Sequence, residues 1–260
     1  MKILRKANLN GKSVISFFKK SPRPPADFSR LSSDMHSHFI PGIDDGSPDM
    51  ETSLELIRGL IDLGYKKIIT TPHILWDVYP NTPAIIGDGY QGVLAELQRQ
   101  HIPVEFRAAA EYLMDDHFIG MLEENQPLLT LKDNMVLVEL SFAVPAINLK
   151  EILFLMQIKG YQPVLAHPER YLYFGGNKDW YDQLKDTGCL FQVNLLSLRG
   201  YYGKASLELA QYLVKKKYID LLGSDMHHER HLENLRSFPQ QALDTVNKLI
   251  DSGLIRNATL

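Results

Sequence analysis

The run Gln162-Pro163-Val164-Leu165-Ala166-His167-Pro168-Glu169-Arg170 sets the reading of the whole chain. Pro163–Ala166 is a continuous apolar run too short for a helix. It reads as a strand buried on both faces, as in a parallel sheet. Before it, 149–159 carries Ile152, Leu153 and Met156 on one helical stripe and stops at Gly160. After it, 179–187 reads as a second helix, stopped by Gly188. Helix, buried strand, helix is the local signature of parallel α/β architecture.

The unit repeats in both directions. Strands are expected at 31–36, 67–71, 104–110, 135–138, 190–193 and 219–223. Helices are expected after Ser47-Pro48, which offers a cap and first-turn pair, then around Val93, Leu94 and Leu97, and at 117–124, 205–217 and 239–252. About seven strand–helix units suit either a barrel or an open doubly wound sheet. No Gly-rich phosphate loop follows the first strand, which weakens the dinucleotide-binding alternative. In a barrel, functional side chains gather at the C-terminal strand ends. Here those ends supply His36 and His38, His73, Glu111, Glu139, His167, Asn194, and Asp225 with His227.

His36 and His38 stand two apart, so on a strand their imidazoles share one face. The next turn, Pro41-Gly42-Ile43-Asp44-Asp45-Gly46, adds two aspartates. Imidazole and carboxylate without thiolate suit a divalent Mn, Fe or Zn ion. Each residue alone has a plain structural explanation, such as a strand cap or a turn. Jointly, chance would have to end nearly every strand in a metal-ligand residue type, so the series reads as a multinuclear metal site. His101 and His117 end no strand and read as ordinary surface residues. His228 and His231 adjoin the last motif without a settled role. Cys189 opens an apolar strand and reads as core. A cysteine-dependent phosphatase needs an arginine where this chain has Leu195, which excludes that mechanism.

The chain has 260 residues, enough for one large barrel or two ordinary domains. Residues 1–30 hold eight Lys and Arg against Asp27 alone, a charge of +7; the remainder holds 20 basic against 30 acidic residues, a charge of −10. The acidic body argues against a nucleic-acid-binding protein, and bound cations would offset part of its charge. The leader lacks a secretory core and cleavage site. It reads as a flexible basic leader, with Ser21–Pro25 as a stiff linker, or as a segment touching an anionic membrane surface or an acidic partner. No apolar run is long enough for a membrane span, and a single cysteine fits a reducing, cytoplasmic setting. Tyr112, Tyr171, Tyr173, Phe174, Tyr201 and Tyr202 stand beside the strand-end motifs; they read either as packing and loop anchors or as a rim gripping a substrate. Trp76 and Tyr79 are expected to wall the same cleft.

The runs Asp34-Met35-His36-Ser37-His38, Gly42-Ile43-Asp44-Asp45-Gly46, Thr71-Pro72-His73, Ala110-Glu111-Tyr112, Val138-Glu139-Leu140, Ala166-His167-Pro168-Glu169-Arg170 and Ser224-Asp225-Met226-His227 resemble the polymerase-and-histidinol-phosphatase (PHP) superfamily. They are most similar to its bacterial manganese-dependent tyrosine-protein phosphatases of capsule and exopolysaccharide operons. The resemblance spans residues 31–240 and implies a distorted (β/α)7 barrel in a single domain, 31–260, after the leader. It implies up to three metals, Mn foremost, held by His36, His38, Asp45, His73, Glu111, Glu139, His167, Asp225 and His227, with Glu111 bridging. It implies Arg170 on the substrate phosphate, with Arg230 or Arg236 as a second arginine. His227, His228 or a metal-bound water would protonate the leaving phenolate. The implied substrate is the phosphotyrosyl tail of a membrane-bound tyrosine kinase, met at the inner face of the membrane. A small phosphomonoester such as histidinol phosphate is the alternative substrate.

Overall fold

The computed structural model describes residues 26–144 and 148–260. The expectations for the leader, its linker and its membrane contact therefore fall almost wholly outside the described residues. Phe28, which the sequence reading put in the leader, is buried and packs on Tyr65 and Phe238 with ring centroids 6.0 and 5.3 Å away.

Among the described residues nine short strands are interspersed with helices: β1 (Ser33–Asp34), β2 (Lys67–Thr70), β3 (His73–Ile74), β4 (Glu105–Ala108), β5 (Glu111–Leu113), β6 (Met135–Glu139), β7 (Gln162–Ala166), β8 (Leu190–Asn194) and β9 (Leu221–Gly223). All pairings are parallel, in the orders β1-β2-β4 and β3-β5-β6-β7-β8-β9. The two sheets are one ring. β2 and β3 are a single strand broken at Thr71-Pro72, where proline has no N–H to give the ladder. β4 and β5 are likewise one strand broken at Ala109-Ala110. The backbone N–H of Thr71 to Ser37 O (2.7 Å), of Ala109 to Thr70 O (2.8 Å) and of Glu111 to Pro72 O (3.1 Å) carry the ladder across the breaks. The ring closes where Ser37 bridges Met226, with His38 N donating to Met226 O at 2.9 Å. Seven strand positions thus form the distorted barrel expected from the sequence.

Two apolar layers hold it. Met35, Ile69, Ala109, Leu137, Val164, Leu190 and Leu221 point into the ring, with Leu131 and Leu260 below them. The outward residues of the same strands meet the helices through Ile68, Val136, Val138, Leu165, Phe191 and Leu222. Burying one such leucine stabilises by about 2 kcal/mol.

The helices are α1 (Met50–Asp62), α2 (Pro83–Arg99), α3 (Asp116–Glu123), α4 (Leu149–Ile158), α5 (Asp179–Asp186), α6 (Leu195–Leu198), α7 (Lys204–Lys216), α8 (Glu229–Arg236) and α9 (Gln240–Asp251). The cap of α1 is Asp49, whose carboxylate accepts from Thr52 N at 2.8 Å, and not Ser47. Ser47 is held in the preceding loop, its N–H on His38 O and its carbonyl under Gly42 N. Helices α6 and α8 have no counterpart in the sequence reading. Among the described residues no helix is long and apolar enough to cross a membrane.

Candidate metal centre

All nine donors expected from the sequence converge at the C-terminal mouth of the barrel. Their ligand atoms fall into four groups, each within 4.8 Å: His38, Asp45, His73 and His227; His36, Glu111 and His167; His36, His38 and Asp225; His73, Glu111 and Glu139. Glu111 is the shared centre. One of its oxygens is 3.1 Å from His36 Nε2 and 3.3 Å from His73 Nδ1, and the other is 3.0 Å from His167 Nε2. The backbone aims two of these side chains unusually: His167 has φ 33° and Asp225 has φ 50°. Left-handed backbone is uncommon for non-glycine residues and concentrates at functional sites.

The electrostatics are those of a cation cage. Burial favours neutral imidazole at His36, yet the carboxylates of Glu111 and Asp225 raise it to about 9. Burial likewise opposes, and Glu111 and Glu139 overcome, at His73, which rises well above the usual value. His38 goes the other way, to about 4, through burial and the positive charge of His227. Glu111 and Asp225 stay ionised against burial because of the histidines around them. His38 Nε2 and His73 Nδ1 lie 3.6 and 3.3 Å from Glu111 and are buried without a hydrogen-bond partner. Buried polar atoms normally find partners. Orphaned imidazole nitrogens beside ionised carboxylates fit a bound divalent cation, and the nitrogen-and-oxygen donor set fits Mn, Fe or Zn.

A cleft of about 220 Å³ opens over the cluster. Its walls include Asp45, Glu139, His167, His227, Arg170 and Phe142. Arg170 lies in it with its guanidinium carbon 4.6 Å from the Phe142 ring and 4.3 Å from the Tyr202 ring. Its Nη1 donates to Asp225 Oδ2 at 2.9 Å. His228 and His231 also line the cleft, and His231 Nδ1 accepts from His227 N at 3.3 Å. Arg230 lies on exposed α8 outside the lining residues, near enough to His228 for its charge to help hold that imidazole down, after burial and His227. Arg236 points away to Asp62 at 3.8 Å.

A layer of partners orients the donors; of these the sequence reading named Asp44 and Asn194 without this role and did not name Gln192. Asp44 accepts from His38 Nδ1 at 2.8 Å. Gln192 Oε1 pairs with His36 Nδ1 at 2.8 Å, and Asn194 Nδ2 donates to Asp225 Oδ2 at 2.6 Å. Their signal was available only in part: Asn194 was read as a strand end, and Asp44 adjoins Asp45. The aromatics divide. Tyr112, Tyr171 and Phe174 are fully buried, and the hydroxyls of Tyr112 and Tyr171 accept from Leu129 N and Leu140 N at 2.8 Å, so these are packing and loop anchors. Tyr202 lines the cleft. Trp76 does not wall it but stacks on His117 at 4.0 Å, and Tyr79 stacks on His73 at 5.8 Å.

Fold and donor set together define a parallel α/β barrel with residues fit to hold several metal ions. The model of the family "Capsular polysaccharide synthesis, CpsB/CapC" matches residues 32–255, and the chain belongs to that family. It is 31% identical over 223 residues to tyrosine-protein phosphatase YwqE of Bacillus subtilis (strain 168), covering 85% of this chain and 86% of the relative. It is 26% identical over 223 residues to tyrosine-protein phosphatase CpsB of Streptococcus pneumoniae, covering 83% and 89%. A solved structure of YwqE and CpsB, described as unique metal-dependent tyrosine phosphatases, superposes with a TM-score of 0.75 at 29% identity, covering 86% of this chain and 94% of that one. Histidinol phosphate phosphatase of Lactococcus lactis shares the fold, with a TM-score of 0.51 at 13% identity, covering 89% and 94%.

Proposed function

We propose that this chain is a metal-dependent protein-tyrosine phosphatase acting in capsular or exopolysaccharide synthesis. The observation that carries the reading is the nine-donor cluster under a cleft that also holds Arg170. The named activity of the relatives favours tyrosine over a small phosphomonoester; likeness to the histidinol phosphate enzyme speaks for architecture alone.

In this reading His36, His38, Asp45, His73, Glu111, Glu139, His167, Asp225 and His227 would hold up to three divalent ions. Bound there, such ions supply Lewis acidity and lower the pKa of water toward neutrality. Mn is the favoured ion by family resemblance, with Fe and Zn compatible. Arg170 grips the phosphoryl oxygens; its planar fork matches phosphate bidentately, and Asp225 and the two flanking rings hold the fork in place. Arg230, beside His228, adds positive charge at the approach. His228, which lines the cleft without being one of the nine donors, hands a proton to the departing phenolate, whose ordinary pKa of about 10 makes it a better leaving group than an alkoxide. The substrate is the phosphotyrosyl tail of a membrane-bound kinase, met in the cytoplasm at the inner membrane face. The basic segment ahead of Ala26 supplies a membrane contact, while residues 26–30 belong with the catalytic domain 31–260.

The test is hydrolysis of a phosphotyrosyl peptide by protein stripped with chelator, then refilled separately with Mn, Fe and Zn, alongside His38→Ala and Arg170→Ala. Activity restored by metal and lost in both variants supports the assignment. Full activity after stripping refutes it.

A further inference from the structure

The cleft is walled almost entirely by charged groups and imidazoles, with one exception that faces solvent. Phe142 stands three residues past Glu139, the last residue of β6, and remains 50% exposed while lining the cleft. Its ring bridges the two halves of the site. It stacks on His167 with centroids 5.5 Å apart and planes 24° off parallel, and it lies 4.6 Å from the Arg170 guanidinium carbon. Tyr202 covers the other side of that guanidinium, with its hydroxyl buried. The accessible carbocyclic ring beside the arginine fork is therefore Phe142.

We propose that Phe142 is the specificity-determining residue that selects aryl over alkyl phosphate esters, by packing against the ring of the substrate. This rests on the phosphatase reading above. A phosphoryl group on the Arg170 fork is separated from the first carbon of its ester by one oxygen, so the group carried by that oxygen lies beside the ring next to the fork. A phenyl group there covers apolar surface that Phe142 otherwise exposes to water and gains an aromatic pair. A short hydroxylated alkyl chain gains neither. The preference comes from ring contact and needs no reading of the peptide around the tyrosine.

A purely bracing role for Phe142, through its contact with Arg170, would affect every ester alike, so paired substrates separate the two. Metal-loaded wild type, Phe142→Leu and Phe142→Trp are compared on phenyl phosphate and on β-glycerophosphate, with melting temperature and metal content checked for each. Phe142→Leu is expected to raise KM for phenyl phosphate about tenfold more than KM for β-glycerophosphate, and Phe142→Trp to keep the aryl preference. Calorimetric titration with a phosphonomethylphenylalanine peptide, which does not turn over, is expected to show the same tenfold loss in Phe142→Leu. Equal losses on both esters, or no loss on either, overturn the proposal. Wild type that binds the phosphonate peptide through Phe142 but hydrolyses neither ester overturns the phosphatase reading instead and leaves the aryl subsite standing.

Discussion

Asp44 Oδ2 lies 2.8 Å from His38 Nδ1, and the same oxygen accepts the backbone N–H of His73 at 3.1 Å. One carboxylate thus fixes an imidazole from the first strand and the backbone of a donor from the second. The contact leaves His38 Nε2 as the free nitrogen, facing Glu111 and Asp225 at 3.6 and 3.7 Å. Partners of this kind set the orientation and basicity of a liganding histidine. Asp44→Asn is expected to weaken divalent-metal affinity about 10–100-fold with the fold intact. Competition against a metal-indicator dye measures it, and unchanged affinity would show that Asp44 is only a loop residue.

Gly46 has no room for a side chain. An added Cβ would overlap the His38 carbonyl and the His38 Cβ, because Ser47 N ties the loop back onto that carbonyl at 3.0 Å. Gly46→Ala is expected to displace His38, cutting activity at least tenfold and lowering the melting temperature. Gly176→Ala, where a Cβ meets nothing within 4 Å, serves as the neutral control. Equal behaviour of the two variants would contradict the packing argument.

Without metal, stability should fall with rising pH. The His36 imidazole is raised to about 9 in the fold, against burial, by Glu111 and Asp225. A raised folded pKa gives stability that is fully present below the unfolded value of about 6.5. It is lost as pH climbs through 9. Urea midpoints of the chelated protein between pH 6 and 10 should therefore decline, and added divalent metal should flatten the decline by replacing the proton. A midpoint that rises over this range would be incompatible with the charge arrangement described.

Cys189 is wholly buried, and burial pushes its thiol up to about 12. It has neither the ionisation nor the access a nucleophile needs. Cys189→Ala is expected to keep kcat/KM within about twofold while costing about 1 kcal/mol of stability. A folded but inactive variant would overturn the metal-based reading.

Strands β6 to β9 were legible because each is a short, mostly apolar run buried on both faces, and most donors were legible because they end or directly follow such runs. The barrel closure was not: Ser37 and Met226 meet through backbone pairing across the whole chain, which leaves no local trace. Helix α8 escaped notice because it is mostly charged and buries little beyond His231, Leu232 and Leu235. Gln192 could not be found from spacing, since it serves His36 from 156 residues away. Phe142 follows a strand like many loop residues, and only its place against Arg170 distinguishes it.

The closing bridge between Ser37 and Met226 also sets an order of assembly during synthesis. The group of His73, Glu111 and Glu139 needs only the first 139 residues. The groups built on His38 with Asp225 or His227 need the last strand. A nascent chain still short of that strand at the ribosome has no complete centre to load. The seam's donors are complete only once the more than 180 residues between Ser37 and Met226 have been made. A chain that stops short of β9 thus lacks donors of two of the four groups, Asp225 and His227.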